Sequence, residues 1–304
     1  MSTRLVELAP AGPVALALHG GAGGRVPEQP EQQEAFQAGL ARAHAAGWRV
    51  LAGGGAAVDA VCAAVVELED EPLFNAGRGA ALTADGSVEL DAAVMDGTGR
   101  AGAVAGCRYA KNPVLLARRI LERSPHVLMV CPPQSLVAEW GCEVAGQEYF
   151  VTGARRRQLD RLLRAGQPGP RTGTVGAVAR DRLGRLAAAT STGGMAGQDP
   201  GRVGDSPIIG AGTYARGGVV AISCSGEGEA FIRGVVAHEV DARMRHLGLG
   251  LAAAVRSTIE EELTARGATG GMVCVDAEGR VVVGYNSAAM FAAYQGADGI
   301  VTLA

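Results

Sequence analysis

The sequence predicts an α+β fold in which antiparallel or mixed sheets are flanked by helices. Strand-like and helix-like segments occur in blocks, which argues against a doubly wound parallel sheet with its regular alternation. Several neighbouring strand-like segments are separated only by tight turns, and such short connections join antiparallel strands. The chain has 304 residues, 48% apolar and 19% charged, so it can bury the core of one large domain or of two.

The first half is predicted to begin with a buried strand followed by two helices. Apolar residues are continuous at 14–18 and recur at helical spacing at 56–69. Asp85-Gly86 signals a tight turn, and Asn112-Pro113 combines a helix cap with proline at the first helical position. The predicted order is a strand at 14–18, helices at 31–46 and 56–69, strands at 80–83, 87–94 and 102–107, a helix at 113–123, a strand at 127–130 and a helix at 133–140.

Two similar hairpins are predicted to frame the second half. Each joins two apolar segments through a four-residue turn that begins with Asp and ends with Gly, at 181–184 and at 276–279. The predicted strands are 175–180, 185–190, 219–224, 272–275 and 280–285, with helices at about 227–246 and 250–265.

Composition excludes several classes of function. A net charge of −3 gives no reason to expect nucleic acid or an anionic membrane as a partner. No apolar run reaches membrane-spanning length and the N-terminus lacks a signal-peptide pattern, so we expect a cytoplasmic protein. The arginine-rich stretch 155–164 could bind RNA or phosphate, but a solvated helical turn is the favoured interpretation because the patch is isolated.

The cysteines and histidines do not indicate a zinc site or disulfides. None of the six cysteines forms a CxxC pair and most lie in apolar runs, as expected for buried free thiols in a reducing compartment. The histidines lack ligand spacing with any cysteine pair. The residues concerned are Cys62, Cys107, Cys131, Cys142, Cys224 and Cys274, with His19, His44, His126, His238 and His246.

The most informative residue is Thr174, which lies between a Gly/Pro-rich linker and an apolar strand. Cleavage of the Gly173–Thr174 bond would give Thr174 a free α-amine, and that amine could act as general base for its own hydroxyl. The simpler alternative is that a β-branched residue merely starts a strand. A second hydroxyl cluster, Thr190-Ser191-Thr192, follows the next turn.

Three further segments could contribute to a site. The segment 19–24, His-Gly-Gly-Ala-Gly-Gly, is not a phosphate loop because it lacks the required motif. It could be an oxyanion loop, a close backbone approach or a plain turn. Arg202 and Asp205, in a loop of glycines and prolines, could recognise the α-carboxylate and α-amine of an amino acid, or could pair with each other on the surface. The segment 223–229 could form an anion hole, or Ser225 could be a simple helix N-cap.

Taken together, these motifs resemble the plant-type asparaginase/isoaspartyl peptidase family of N-terminal-nucleophile hydrolases. Any one motif is a weak signal, whereas six in this order are specific and cover nearly the whole chain. The resemblance implies a single domain with a four-layer αββα sandwich. It also implies autocatalytic cleavage into an α subunit, 1–173, and a β subunit, 174–304, with 152–173 as a flexible linker. The six motifs are His19–Gly23, Phe74–Gly77, Leu90–Gly97, Gly173–Val178, Ala188–Gly194 and Gly201–Pro207.

The resemblance also assigns roles to individual residues. Thr174 matches the nucleophile, Thr192 the threonine that bonds the nucleophile's amine, and Asn75 the oxyanion-hole donor. Arg202 and Asp205 match the pair that holds the carboxylate and ammonium of the aspartyl group. Ser225 stands where the family usually has threonine, and Gly226 and Gly228 match adjacent glycines. A structural sodium loop is implied at main-chain carbonyls of Leu68, Glu69, Glu71, Phe74, Ala76 and Arg78.

The expected activity is hydrolysis of L-asparagine and of isoaspartyl dipeptides, without an organic cofactor, by a dimer of αβ pairs. Glycosylasparaginases usually carry Asp at the position of Gly173 and Asn at that of Gly193, and threonine aspartase lacks the acid at Asp205, so those relatives fit less well. A serine hydrolase using Ser191, with Asp205 and His238, is a rival interpretation. A non-enzymatic protein that binds ligands through Arg202 and Asp205 leaves Thr174 unexplained.

Overall fold

Two β-sheets with helices outside them make up the chain in a computed structural model that describes residues 2–23, 29–166, 173–296 and 299–303. The strands are β1 (Arg4–Leu8), β2 (Ala15–Ala22), β3 (Leu90–Asp96), β4 (Ala101–Cys107), β5 (Leu128–Val130), β6 (Val175–Arg180), β7 (Leu186–Thr192), β8 (Thr213–Arg216), β9 (Val220–Gly226), β10 (Gly270–Asp276), β11 (Val281–Tyr285), β12 (Met290–Gly296) and β13 (Gly299–Leu303). The α-helices are α1 (Pro30–Ala52), α2 (Ala57–Asp70), α3 (Pro113–Arg123), α4 (Gln134–Glu139), α5 (Gln147–Phe150), α6 (Gly153–Ala165), α7 (Gly228–Gly234), α8 (Val236–Leu247) and α9 (Leu251–Thr258).

The strand order places the two predicted hairpins at the centres of different sheets. The larger sheet has the order β13-β12-β2-β6-β7-β3-β4-β5, and the smaller one has the order β1-β11-β10-β9-β8. Among the described strands, β4 and β5 pair in parallel and the other neighbours are antiparallel. The antiparallel or mixed sheets predicted from the short connections are therefore confirmed.

Side-chain alternation along the strands separates four layers. On β6, Val175, Ala177 and Ala179 pack into a core shared with α1, α2 and α3, whereas Val178 faces the smaller sheet. The smaller sheet in turn packs its other face on apolar residues of α8 and α9, such as Val240 and Val255. The layers are helices, large sheet, small sheet and helices, so the predicted αββα sandwich is confirmed.

Most predicted elements are present, and one predicted strand is wrong. Residues 80–83 form no strand, because their backbone groups bond to loops: Ala81 N–H donates to Asn75 Oδ1, and Thr83 N–H donates to the carbonyl of Ser87. The turn at Asp85-Gly86 is present, with Gly86 at φ 81°. Helix α1 extends past the predicted end, to Ala52, and strands β1, β8, β12 and β13 and helix α5 were not predicted.

The two long helices predicted near the C-terminus are both interrupted. The first is broken at Val235, whose φ of 47° is left-handed, because His238 N–H and Ala237 N–H donate to the carbonyls of Gly210 and Ala211. The second continues from α9 into a π-helical turn at Ile259–Leu263 and a 3₁₀ turn at Thr264–Arg266.

The segment before Thr174 begins with the predicted charged helix. Helix α6 is capped by the Thr152 side chain, which accepts from Arg155 N–H, and ends at Gly166 in a left-handed conformation. Residues 167–172 of the predicted linker, like Gly24 of the glycine-rich segment, lie outside the described residues. All six cysteines are free; Cys131 is exposed and the others are buried. Within the described ranges, none of the helices is both long and apolar enough to cross a membrane.

Candidate active site

Five of the predicted site residues border one small cleft. Thr174 and Thr192 lie at the ends of neighbouring strands, and Arg202 and Asp205 come from the loop that follows β7. Gly226, at the end of β9 in the other sheet, completes the lining of that cleft. The structure therefore brings the presumed nucleophile and the presumed amino-acid recognition pair together, although 28 residues of sequence separate Thr174 from Arg202.

Strand alternation decides which hydroxyls face the cleft. On β7, Leu186 and Ala188 face the space between the sheets, whereas Ala187 and Ala189 face the helices. The period of two therefore turns Thr190 and Thr192 toward the smaller sheet and the intervening Ser191 toward α2.

The Gly173–Thr174 bond lies in a tightly enclosed position. Gly173 has φ 120°, a conformation that favours glycine, and a Cβ there would approach Asn75 Cβ to 2.7 Å. A Cβ on Gly21 would approach Gly173 Cα to 2.8 Å. Of the alternatives for the glycine-rich segment after His19, close backbone approach is therefore confirmed. Gly21 in β2 lies so close to Gly173 that its position has no room for a side chain.

The Thr174 hydroxyl is connected to a short polar network. It donates to Thr192 Oγ1 at 3.3 Å, and Thr192 Oγ1 also accepts from Gly194 N–H at 3.0 Å. Asn75 Nδ2 donates to the carbonyl of Gly194 at 2.7 Å, so the Asn75 side chain lies both against Gly173 and at the end of this network. In the single chain that the structure describes, Thr192 thus contacts the side chain of Thr174 through its hydroxyl.

Asp205 is a buried carboxyl at the wall of the cleft. The residue is 3% exposed, and burial raises the pKa of its carboxyl to about 7 despite the positive charge of Arg202 nearby. Its Oδ2 has no hydrogen-bond partner among the residues that the structure describes. A buried carboxylate oxygen without a donor is costly, which fits a carboxyl whose proton is held to a higher pH than usual.

Arg202 is held by an acid other than Asp205. Its Nε and Nη2 donate to the two carboxylate oxygens of Glu229, at 3.0 and 3.1 Å, and its Nη1 donates to Gln198 Oε1 at 3.3 Å. The alternative that Arg202 and Asp205 pair with each other on the surface is therefore wrong. The bidentate contact with Glu229 fixes the plane of the guanidinium before any ligand binds.

Two acids from the region of β3 fix the loop that carries this pair. Glu89 Oε2 accepts from Gly201 N–H at 2.7 Å, and Asp91 Oδ2 accepts from Gly204 N–H at 3.4 Å. Burial raises the pKa of Asp91 to about 6. Because both acids bond backbone amides on either side of Arg202, they position the loop rather than the ligand.

The glycine-rich start of α7 approaches the same pair. A Cβ on Gly228 would lie 3.0 Å from Asp205 Oδ1 and 2.9 Å from Arg202 Nη2, so the absence of a side chain lets the helix start touch both. Ser225 is wholly buried, and its Oγ accepts from Ala22 N–H at 2.9 Å. The N-cap interpretation of Ser225 is wrong, because α7 begins at Gly228 with Glu227 in the cap position.

His19 is the residue whose role the sequence did not reveal. Its imidazole is wholly buried, and Nδ1 lies 3.0 Å from the carbonyl oxygen of Thr174 while Nε2 lies 2.9 Å from Ser223 Oγ. The sequence offered one signal, the position of His19 in β2. Odd-numbered residues of this strand, such as Ala15 and Ala17, face the smaller sheet, and His19 is one of them.

The geometry does not support a serine hydrolase built on Ser191. Ser191 Oγ donates to Glu69 Oε1 at 2.6 Å on the helix side of the larger sheet, whereas Asp205 borders the cleft on the opposite side. His238, half exposed, lies on α8 and is 4.0 Å from the Asp241 carboxylate. The three groups of the supposed triad are thus dispersed over three layers.

Backbone hydrogen bonds connect residues within the predicted sodium loop, 68–78. The carbonyl of Glu69 accepts from Arg78 N–H at 2.7 Å, and that of Glu71 accepts from Phe74 N–H at 3.2 Å. A carbonyl oxygen has two lone pairs, so both can still bind a cation. Across the described part of the chain, no group of three or more His, Cys, Asp or Glu side chains could hold a metal ion.

Comparison with known proteins agrees with this geometry. An isoaspartyl peptidase of Salmonella typhimurium is 46% identical over 294 residues, which cover 92% of this chain and 94% of that protein. A probable isoaspartyl peptidase/L-asparaginase 2 of Arabidopsis thaliana is 39% identical, covering 95% and 98%. A plant-type L-asparaginase of Pyrobaculum calidifontis is 40% identical, covering 90% and 94%. Since the sequence model of the asparaginase family also matches residues 12–304, the chain belongs to the asparaginase family of hydrolases.

Proposed function

We propose that this chain cuts itself between Gly173 and Thr174 and then hydrolyses L-asparagine and isoaspartyl dipeptides with Thr174 as nucleophile. The observation that carries the proposal is the shared cleft. A threonine hydroxyl, next to a glycine with φ 120°, lies in the same small space as a bonded guanidinium and a buried, unsatisfied carboxyl. The names of the relatives, isoaspartyl peptidase and L-asparaginase, support the same substrates.

Self-cleavage uses the hydroxyl of Thr174 against the bond that precedes it. Thr174 Oγ adds to the carbonyl carbon of Gly173, the C–N bond breaks, and the nitrogen leaves as the α-amine after taking a proton. The resulting ester between Gly173 and the Thr174 oxygen is then hydrolysed by water. The products are a C-terminal carboxylate on Gly173 and a free hydroxyl and amine on Thr174.

Hydrolysis of the substrate repeats this chemistry on a β-carbonyl group. Thr174 Oγ attacks the β-carbonyl carbon, and the free α-amine of Thr174 accepts the hydroxyl proton. Ammonia, or the amine of the second amino acid, leaves with a proton. The β-aspartyl ester on Thr174 is hydrolysed by water. We assign Thr192 to the amine, and Asn75 and Ser225 to stabilisation of the oxyanion.

Substrate recognition divides between two charged groups. Asp205 accepts the α-ammonium with its carboxyl group, which lies at the wall of the cleft. Arg202 binds the α-carboxylate, with its guanidinium oriented in advance by Glu229. Gly226 and Gly228 leave room for the aspartyl group by carrying no side chains.

Intact-mass measurement and N-terminal sequencing of purified protein test the proposal. We expect fragments of 173 and 131 residues (304 − 173 = 131), the second beginning at Thr174. Thr174→Ala should remain a single chain, while Ser191→Ala, which removes a hydroxyl on the other face of the same sheet, should be cut normally. A wild-type single chain that persists with full asparaginase activity would contradict the proposal.

Three further features belong to the same proposal. We assign the active form to a dimer of αβ pairs in the cytoplasm, and a sodium ion to the main-chain carbonyls of the loop 68–78. Replacing sodium by a large organic cation during thermal unfolding tests the ion, and sedimentation of the cleaved protein tests the assembly.

A further inference from the structure

A buried histidine lies directly behind the presumed nucleophile. The imidazole of His19 contacts the backbone carbonyl of Thr174 through Nδ1, not the hydroxyl of Thr174. Thr174 precedes the first residue of β6, and the β2–β6 pairing ends at His19 and Gly176. A side chain therefore bonds the Thr174 carbonyl just beyond the point where the backbone ladder between these strands ends.

The other ring nitrogen of His19 begins a chain of hydroxyls between the two sheets. Nε2 lies 2.9 Å from Ser223 Oγ, Ser223 Oγ lies 2.7 Å from Thr190 Oγ1, and Thr213 Oγ1 lies 2.6 Å from Thr190 Oγ1. These four side chains are all wholly buried. Ser223 and Thr213 are cross-strand partners in the smaller sheet, whereas His19 and Thr190 belong to the larger one.

The contact of His19 with the Thr174 carbonyl sets the direction of the hydrogen bonds along this chain of side chains. Burial lowers the pKa of His19 to about 3, so the imidazole is neutral and has a single N–H. A carbonyl oxygen can only accept, so Nδ1 must carry that proton, and Nε2 must accept from Ser223 Oγ–H. Ser223 can then only accept from Thr190, and Thr190 accepts from Thr213, which makes the chain one-way. The carbonyls of Gly212 and Ser206 are second acceptors for the hydroxyls of Thr190 and Thr213.

The backbone leaves space for this chain at a glycine. A Cβ on Gly176 would overlap Ser223 Oγ and would lie 2.7 Å from His19 Nε2. Gly176 lies two residues after Thr174, with the same orientation toward the smaller sheet. Because Gly176 has no side chain, β6 leaves room for the contact between the His19 imidazole and the Ser223 hydroxyl.

We propose that His19 is a positioning residue that fixes the carbonyl of Thr174, and that Ser223, Thr190 and Thr213 hold its imidazole in the donating tautomer. This inference rests on the proposed function of Thr174. Once the Gly173–Thr174 bond is cut, Thr174 is tethered covalently only through its carbonyl carbon. The bond from His19 then restrains rotation about that carbonyl group, and so restrains where the amine and hydroxyl of Thr174 point.

Replacing His19 by two different amides tests this geometry. An asparagine amide can place its N–H₂ near the position of Nδ1, whereas a glutamine amide reaches toward the position of Nε2. His19→Ala should lower kcat for L-asparagine on the order of 100-fold, because orientation of the nucleophile is lost. His19→Asn should be about tenfold faster than His19→Gln, because it keeps one donor to the Thr174 carbonyl. KM should change little in all three, since Arg202 and Asp205 bind the substrate.

The rate of self-cleavage gives a second readout that does not need mature enzyme. The same carbonyl is bonded in the uncut chain, so His19→Ala should be cut more slowly than wild type, and His19→Asn should be cut faster than His19→Gln. Ser191→Ala is the matched control, since it removes a buried hydroxyl from β7 on the face away from the chain, and it should match wild type in both rates.

The outcomes separate this inference from the proposed function. If wild type is not cut or has no activity, the proposed function fails; if wild type is active and His19→Ala keeps its kcat and cleavage rate, His19 has no positioning role. Equal losses in the Asn and Gln variants, in step with a lower unfolding midpoint, would also overturn the proposal, since they would reflect packing alone. Should the His19 variants not fold, Ser223→Ala should still show lowered kcat at unchanged KM, and a wild-type kcat there would contradict the one-way chain.

Discussion

Asp205 and Glu69 are two buried carboxyls, of which Asp205 lines the cleft and Glu69 does not. Burial raises the pKa of Asp205 to about 7 and that of Glu69 to about 8. Each has one oxygen without a hydrogen-bond partner in the described part of the chain. Asp205 lines the cleft beside Thr174. Glu69 lies on α2, where its Oε1 accepts from Ser191 Oγ and from Val114 N–H at the start of α3.

The comparison shows that a perturbed pKa does not by itself identify a site. Burial is the largest cause in both carboxyls, and a structural acid can be perturbed as strongly as one that binds ligand. What distinguishes Asp205 is that it lines the cleft beside Thr174. Glu69 instead joins α2, α3 and β7, and we infer that its role is structural.

The largest effect expected from this difference is loss of activity in Asp205→Asn. The substrate ammonium would lose its charge partner, and breaking a buried ion pair on one side costs about 2–5 kcal/mol, so kcat/KM should fall by at least about 30-fold. The unfolding midpoint should stay close to that of wild type, because the substitution removes a desolvated carboxyl. Steady-state kinetics and thermal unfolding on the cleaved variant measure both; wild-type kcat/KM would remove Asp205 from the site.

Next in size is the effect of Arg202→Ala on substrate affinity. Loss of a charge-assisted bidentate contact costs about 1.5–3 kcal/mol, so KM for L-asparagine should rise by about 10- to 150-fold while precursor cleavage continues. Arg216→Ala is the control, since Arg216 is ion-paired to Asp241 outside the cleft. An unchanged KM in Arg202→Ala, or an equal rise in both variants, would show that the guanidinium does not bind the substrate.

The fold could be predicted from local signals wherever those signals were strong. The two hairpins lie where predicted, because their turn residues act within a few positions. The helix after Asn112 also lies where predicted, with Pro113 as its first residue, although the Asn112 side chain does not cap it. The break at Val235 could not be predicted, because it depends on hydrogen bonds to Gly210 and Ala211 from a distant loop. Strand β8, four residues long, has too few positions to show an alternating pattern.

Part of the lining of the cleft was predictable from the sequence, but the hydrogen bonds that connect these residues were not. Resemblance named Thr174, Arg202 and Asp205, and the structure places all three around one cleft. It could not show that Arg202 is held by Glu229, because Glu229 lies 27 residues away on another element. Nor could it show the contact of His19 with Thr174, which depends on the pairing of β2 with β6, two strands far apart in the sequence.

A smaller effect, expected for both carboxyls, is the pH dependence of the free energy of unfolding. Both bind a proton more tightly when folded than when unfolded, where ordinary values of about 3.9 and 4.3 apply. Their stabilisation is therefore complete at low pH and is lost as the pH rises toward about 7 for Asp205 and about 8 for Glu69. Each contributes a slope of at most about 1.4 kcal/mol per pH unit.

Urea unfolding of the uncut Thr174→Ala chain at a series of pH values measures these slopes. Adding Asp205→Asn should flatten the curve up to about pH 7, and adding Glu69→Gln should flatten it up to about pH 8. If neither substitution changes the slope in that window, the two carboxyls titrate normally and the comparison between them fails.

The smallest effect expected is that of Glu69→Gln on turnover. At neutral pH the Glu69 carboxyl is largely protonated, and a glutamine of the same shape keeps the oxygen that accepts from Ser191 and Val114. We therefore expect kcat and KM within about twofold of wild type and a free energy of unfolding within about 1 kcal/mol at low pH. Glu69→Ala is the contrast: it leaves a buried hydroxyl and a buried N–H without an acceptor, and should cost about 2–4 kcal/mol in stability. A tenfold fall in kcat for Glu69→Gln at unchanged stability would show that Glu69 acts on the cleft through β7. Position at the cleft would then not be the property that separates the two acids.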